Sequence, residues 1–202
     1  MEPETPPALA PGRMYRLAWT LYLVMALGGV LWIGIRQGRI PVSLFVDPQE
    51  WWLDLLLGLG AGLLVLGFWG LTARFLPIAR RLEEQLAAVL GPLRAADAIA
   101  LAVLSGFAEE LFFRGAVQGS WGWLLATLLF ALLHSGPGPA FRFWTLFAAV
   151  AGGLFGALMA WRGNLLAPVV AHFLVNAVNL RRLTSRPRDS ARLGPIEGDK
   201  ET

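Results

Sequence analysis

The stretch AADAIALAVLSGFAEELFFRGAV, residues Ala95 to Val117, decides the fold. A bilayer-crossing helix takes about 20 apolar residues, and this run is long enough and oily enough to be one. Yet its second half carries Glu109, Glu110 and Arg114, while the residues from Ala95 to Phe107 contain a single charge, Asp97. An ionised side chain in hydrocarbon costs about 2.5–3.5 kcal/mol on insertion scales, so carboxylates in mid-run are a functional hypothesis by default. Glu110 and Arg114 are four residues apart and can pair on one helix face. Glu109, about 100° around the same helix, has no obvious local partner.

The rest of the chain fits a membrane reading. Of 202 residues, 56% are hydrophobic and 15% charged, and the mean hydropathy is +0.57; soluble domains carry about 25% charge. Nine Trp agree with a chain that places indoles at the membrane interface. There is no cysteine, which excludes thiol nucleophiles, thiolate metal sites and disulfides. The first residues, MEPETPPALAPGRMYR, do not have the form of a signal peptide. The net charge of +3 is concentrated at the ends of apolar runs, a topology signal and not a nucleic-acid footprint.

Six apolar runs predict six membrane helices: Leu17–Ile35, Trp51–Leu71, Ala95–Val117, Trp121–His134, Phe141–Trp161 and Leu165–Leu180. Between the second and third, PIARRLEEQLAAVLGPLR (Pro77 to Arg94) repeats Ile78, Leu82, Leu86 and Val89 at helical spacing. It predicts an amphipathic helix at the membrane surface, started by Pro77 and ended by Gly91-Pro92. The expected fold is therefore all-α: a polytopic helical bundle over residues 17–180, with the charged run opening a core about 95–180. A short N-terminal segment (1–16) precedes it, and a disordered polar tail (181–202) follows.

With both termini on one side, that side holds Arg13, Arg16, Arg74, Arg80, Arg81, Arg94, Arg142, Arg181, Arg182, Arg186, Arg188, Arg192 and Lys200. The other holds only Arg36, Arg39 and Arg162. The positive-inside rule then makes both termini cytoplasmic, in a multi-pass protein of the cell membrane. Short loops and a 22.0 kDa chain point to a bacterial inner membrane. No internal repeat of the transporter kind is evident.

Both histidines of the chain fall inside apolar runs: His134 in FALLH and His172 in AHFLVN, with Asn176 one turn beyond. At about 1.5 Å per residue, Glu109 lies about 18 Å from the start of its run near Asp97, and His172 about 12 Å from the opposite start near Asn164. In a core about 30 Å thick these depths coincide, with His134 about 8 Å nearer the cytoplasm. Taken singly, each residue has a structural explanation. Glu110 with Arg114 reads as a buried ion pair, and His134 and Asn176 read as interhelical hydrogen-bonders. Asp54 and Asp97 read as interfacial, and Ser105 as a small packing residue. The small residues of AGGLFGALMA (Ala151 to Ala160) read as a close helix contact. The conjunction of two Glu, two His and an Asn on three runs resists those readings.

Glu109-Glu110-x-x-x-Arg114, Phe130-x-x-x-His134 and His172-x-x-x-Asn176 resemble, in order and spacing, the motifs of the CAAX-protease and bacteriocin-processing (CPBP or Abi) family. These are intramembrane proteases that include the type II CAAX prenyl endopeptidases. The resemblance covers about Ala95 to Leu180. It implies an all-helical intramembrane endopeptidase acting on CAAX-type C-terminal peptides or on small, bacteriocin-like peptides. It implies that Glu109 activates the attacking water, that His134 positions it, and that His172 and Asn176 stabilise the oxyanion. Glu110 and Arg114 support them.

The chemistry of the residues agrees: with no Cys and no convincing Ser dyad, water activated by a carboxylate is the remaining route to hydrolysis. The family has been described both as metalloproteases and as glutamate-dependent proteases, so the cofactor is none or zinc, held if present by Glu109, His134 and His172. The lack of H-E-x-x-H on one helix favours a metal-independent reaction. Expected partners are a peptide or protein substrate and membrane lipid, with no nucleic acid. The rival readings are a non-catalytic immunity or scaffold protein of the same fold, a proton-coupled transporter, and a rhomboid-like serine protease, for which LSGF at Ser105 is a poor match.

Overall fold

The apolar runs are helical, because a chain in hydrocarbon must satisfy its backbone donors and acceptors internally. The computed structural model describes residues 12–184. Among them the helices are α1 (Arg13–Gln37), α2 (Trp51–Phe75), α3 (Pro77–Leu90), α4 (Ala95–Glu110), α5 (Gly119–Trp121), α6 (Trp123–Leu133), α7 (Pro139–Arg162) and α8 (Leu166–Thr184). A π-helical segment, Leu111–Gln118, joins α4 to α5 without a break, and a short 3-10 turn, Val42–Leu44, follows α1. The protein is an all-α bundle.

Three helices, α1, α2 and α7, are long and apolar enough to cross a membrane. The bent pair formed by α3 and the continuous Ala95–Trp121 helix brings the number to four if it counts as one span. The apolar run Trp121–His134 does not form one helix. Trp121 ends the preceding helix, Gly122 takes a φ of 86°, and α6 comprises the 11 residues from Trp123 to Leu133. At about 1.5 Å per residue, 11 residues cover roughly half of a core about 30 Å thick.

α3 starts at Pro77 and stops at Gly91 (φ 67°), as the sequence predicts, and is turned 107° from the helix that follows. It is not simply a surface helix: Ala79, Leu82 and Glu83 are buried against the bundle. Glu83 accepts from the Trp69 indole (2.9 Å) and pairs with Arg182 (3.3 Å), pinning α3 to α2 and α8. The expected termini also shift. Arg13 to Arg16 already belong to α1, and α8 continues through Arg181 to Thr184; the remainder of the expected tail and N-terminal segment lies outside the described residues.

α8 is the central helix, packed between α2 and α4. Lipid tails are as apolar as Leu, so helices associate in a membrane through close packing and hydrogen bonds, not by hiding apolar surface. Glycine supplies the close packing. A Cβ at Gly58 would stand 2.6 Å from the Ala167 carbonyl oxygen, and one at Gly106 would stand 3.0 Å from the Phe173 nitrogen. Ala61, Val65, Phe155, Ala171 and Val175 fill the core between α2, α7 and α8.

The small residues of α7 make the close helix contact expected of them, against α6: a Cβ at Gly152 would stand 2.7 Å from the Phe130 ring and one at Gly156 would meet the Trp123 ring. The carbonyls of Gly152, Gly153 and Gly156 accept from Arg114, Trp123 and Gln118 (3.0, 2.9 and 2.9 Å). These glycines thus admit both the rings of α6 and the polar side chains that bond to their carbonyls.

Asp54 lies in the first turn of α2, at the end of the run where it was expected. It is fully buried and accepts from Arg162 Nε (2.5 Å) and Asn164 Nδ2 (2.8 Å), while Arg162 also reaches Glu50 (2.8 Å). This clasp fixes the start of α2 to the corner between α7 and α8, which sets the depth of the central helix.

Candidate active site

The bundle brings the polar residues of three helices together. Glu109 and Glu110 close the regular part of α4, both buried. Their adjacency on a helix points them in different directions, and the structure uses both.

Glu110 is the carboxylate held by two cationic or donor groups. It is fully buried, with Oε2 3.1 Å from Arg114 Nε and Oε1 2.7 Å from His172 Nδ1. Arg114 is itself almost fully buried. Its guanidinium donates to the Gly152 carbonyl (3.0 Å) and lies over the Phe130 ring (4.4 Å to the centroid), flanked by Phe113 and Phe155 (5.9 Å each). Aromatic faces are a favourable setting for a desolvated cation. Arg114 lies in the π-helical segment, a geometry that recurs at functional sites.

Glu109 is the carboxylate that remains available. Its Oε2 is buried without a hydrogen-bond partner. It faces His134 Nε2 at 3.8 Å and His172 Nε2 at 4.0 Å. Neither distance is a hydrogen bond, and both are separations that one intervening oxygen atom bridges.

The tautomers of the two histidines follow from their other nitrogens. His134 Nδ1 lies 2.8 Å from the Phe130 carbonyl, which can only accept, so Nδ1 carries the proton. His172 Nδ1 lies against the Glu110 carboxylate and donates in the same way. A neutral imidazole at either position therefore presents a bare Nε2 to Glu109. Both Nε2 atoms thus face the same carboxylate oxygen of Glu109.

His134 is the last residue before the loop, not an interior helical residue, with φ −93° and ψ 18°. With 19% of its side chain exposed, against 8% for Glu109 and 6% for His172, it is the most accessible of the three. Its ring packs between Phe130 (4.4 Å) and Trp144 (5.1 Å, edge-on).

Asn176, one turn beyond His172 on α8, stands apart from the glutamates. Its Nδ2 donates to Ser105 Oγ (2.8 Å), and Ser105 Oγ reaches the Ala102 carbonyl (3.3 Å). Ser105, 2% exposed and one turn before Glu109, is thus a hydrogen-bonding partner and not mere packing. One amide proton of Asn176 is committed and the other is left over.

Two residues escape the sequence reading. Ser105 is one. The other is Tyr22 of α1, whose hydroxyl lies against the Glu109 carboxylate. The signal for Tyr22 was present, since a phenol in mid-span needs a polar partner, but nothing in the sequence says which.

Zinc, if held here, would take Glu109, His134 and His172 as its ligands. A tetrahedral ion with bonds of about 2.0–2.1 Å holds its ligand atoms about 3.3 Å apart, closer than the 3.8 and 4.0 Å found here. Among the described residues no three His, Asp or Glu form a metal-binding group. The donors on the far side of each histidine are those of a metal site, but they serve equally to orient an imidazole toward water.

A buried Glu with two inward-facing histidines, in an all-helical membrane bundle, is the site of a polytopic intramembrane protein. Residues 91–178 match the family of Rce1-like type II CAAX prenyl endopeptidases. The chain is also 42% identical over 85 residues to "Uncharacterized protein YpbD" of Bacillus subtilis (strain 168). That alignment covers 40% of this chain and 42% of the relative, so the chain spans less than half the length of the protein it matches. No solved structure matches.

Proposed function

We propose that the chain is an intramembrane endopeptidase that hydrolyses a peptide bond with a water activated by Glu109. The family match supports a CAAX-type protease at its own level. The observation that carries the finer reading is the unpartnered Glu109 Oε2 facing two histidine Nε2 atoms at 3.8 and 4.0 Å. A water at their focus donates one proton to Glu109 and the other to His134 Nε2, which leaves an oxygen lone pair for the scissile carbonyl carbon. As the C–O bond forms, Glu109 takes the water's proton. The carbonyl oxygen becomes an oxyanion, and the uncommitted amide proton of Asn176 is the donor assigned to it. Collapse of the tetrahedral intermediate breaks the C–N bond, and Glu109 returns its proton to the leaving nitrogen.

His172 stabilises the oxyanion only as an imidazolium, because its Nδ1 proton is committed to Glu110. Charge count favours that form: Glu109, Glu110 and Arg114 sum to −1, and one imidazolium brings the buried cluster to zero. Glu110 and Arg114 position His172 and do not touch substrate. The substrate is a C-terminal CAAX-type peptide or a small peptide, cleaved without a metal, and both termini face the cytoplasm.

The test is cleavage of a peptide library, prenylated and unprenylated, by the full chain in proteoliposomes, with Glu109→Ala as control. Products formed by the wild type and absent from the variant are expected. Equal cleavage by both proteins refutes the role of Glu109, and no cleavage by either favours a non-catalytic member of the fold.

A further inference from the structure

At the end of the bundle away from His134, α1 finishes, the chain turns through Val42–Leu44, and α7 hands over to α8. A bond from the Leu165 N–H to the Leu44 carbonyl (2.8 Å) ties these corners together. Between them and the π-helical segment lies an open cleft of about 550 Å³, bordered by Arg36, Gln37, Ser43, Gly115, Gly119 and Gly163.

Arg36 is half-buried and lies along this cleft instead of reaching outward. Its Nη2 donates to the Gly115 carbonyl at 3.3 Å and its Nη1 to Ser120 Oγ at 3.4 Å. Both contacts are at the long edge of hydrogen bonding, and a guanidinium has five donors to place. Among the described residues no carboxylate pairs with Arg36, whereas Arg162 at the same end holds two, Asp54 and Glu50. The floor is built to admit the side chain: a Cβ at Gly119 would fall 2.4–2.9 Å from the Arg36 guanidinium. Trp51, Trp52, Trp121 and Trp161 are more than half exposed at this end. Exposed indoles mark the height of the lipid headgroups.

We propose that this cleft binds the phosphate of an anionic phospholipid, with Arg36 as its charged contact. A planar guanidinium matches phosphate oxygens two at a time, and basic pockets between membrane helices suit lipid headgroups. An uncompensated cation, neutral polar walls at Gln37 and Ser43, and a flanking apolar edge at Leu44 and Met159 fit a lipid better than a free ion.

The experiment is native mass spectrometry of the full chain, released from detergent after incubation with an equimolar mixture of phosphatidylglycerol and phosphatidylcholine. Wild-type protein is expected to retain phosphatidylglycerol preferentially, and Arg36→Gln to lose roughly fivefold of that retention, the effect of one arginine near an anionic surface. Gly119→Ala, which displaces the guanidinium while keeping its charge, is expected to lose retention as well. Arg39→Gln, a nearby exposed arginine outside the cleft, is expected to leave it unchanged. Equal retention by Arg36→Gln and wild type overturns the site. So does an equal loss in Arg39→Gln, which would mean that surface charge alone attracts the lipid. Displacement of the lipid by millimolar inorganic phosphate overturns the lipid assignment in favour of a free anion.

Discussion

Adjacent glutamates with opposite fates offer the sharpest test of the site. Glu110 is fully buried, 3.1 Å from Arg114 Nε and 2.7 Å from His172 Nδ1. Glu110→Gln keeps the shape and deletes the charge, leaving the guanidinium of Arg114, 1% exposed, with no counter-ion. Breaking a buried pair from one side costs about 3–5 kcal/mol. At about 2–4 °C per kcal/mol for a chain of this size, the unfolding midpoint falls by roughly 6–20 °C. Glu109→Gln removes a buried charge whose Oε2 has no hydrogen bond to lose, and the new amide oxygen still accepts from Tyr22. Its midpoint is expected to hold or rise while hydrolysis disappears. Thermal unfolding in one detergent, followed by fluorescence of the nine Trp, reads both variants. The double variant Glu110→Met/Arg114→Met removes both charges at once and is expected to recover most of the midpoint without hydrolysis. If Glu110→Gln melts with the wild type while Glu109→Gln unfolds early, the division of labour between the two carboxylates is wrong.

Ser105→Ala frees the Asn176 amide to rotate; kcat is expected to fall about tenfold with KM little changed, and Ser105→Thr, which retains a hydroxyl, to recover part of it, an outcome a pure packing role would not produce. Gly58→Val pushes a side chain into the Ala167 carbonyl and is expected to destabilise by about 1–3 kcal/mol, measured as a lower unfolding midpoint. Incubation with a zinc chelator is expected to leave peptidase activity intact; loss that stoichiometric zinc restores would make both histidines ligands and displace the water reading. Reporter fusions at residues 1 and 202 are expected to report the same, cytoplasmic, face.

The helical class and the partners Glu109, Glu110, His134 and His172 were legible because each is an anomaly against hydrocarbon: charge and imidazole where only apolar groups are cheap. The pairing of Glu110 with Arg114 was legible because four residues is one helical turn. What stayed hidden depends on tertiary contact. Nothing in LSGF marks Ser105 as the acceptor for an Asn on α8, and nothing near Tyr22 names Glu109. Asp54 reads as interfacial by its place at the start of a run, and only the corner holding Arg162 and Asn164 shows why it is buried. The π-helical geometry after Glu110 has no local propensity signal, since it is imposed by where Arg114 and Gln118 find the carbonyls of α7. The break at Gly122 was available as a turn residue inside an apolar run.

The shortness of α6 has a consequence for the bilayer itself. Its 11 residues present Leu124, Leu128, Leu132 and Leu133 outward, an apolar wall roughly half as tall as the hydrocarbon it meets. Acyl chains beside it are expected to tilt, compress or leave polar backbone uncovered, which would thin the membrane on this flank of the protein. The thinned flank is the one that ends at His134, and water there has only part of the bilayer to cross. Acyl-chain length is then expected to act on the proposed hydrolysis, thick bilayers opposing the dent that admits water and thin ones accepting it at little cost.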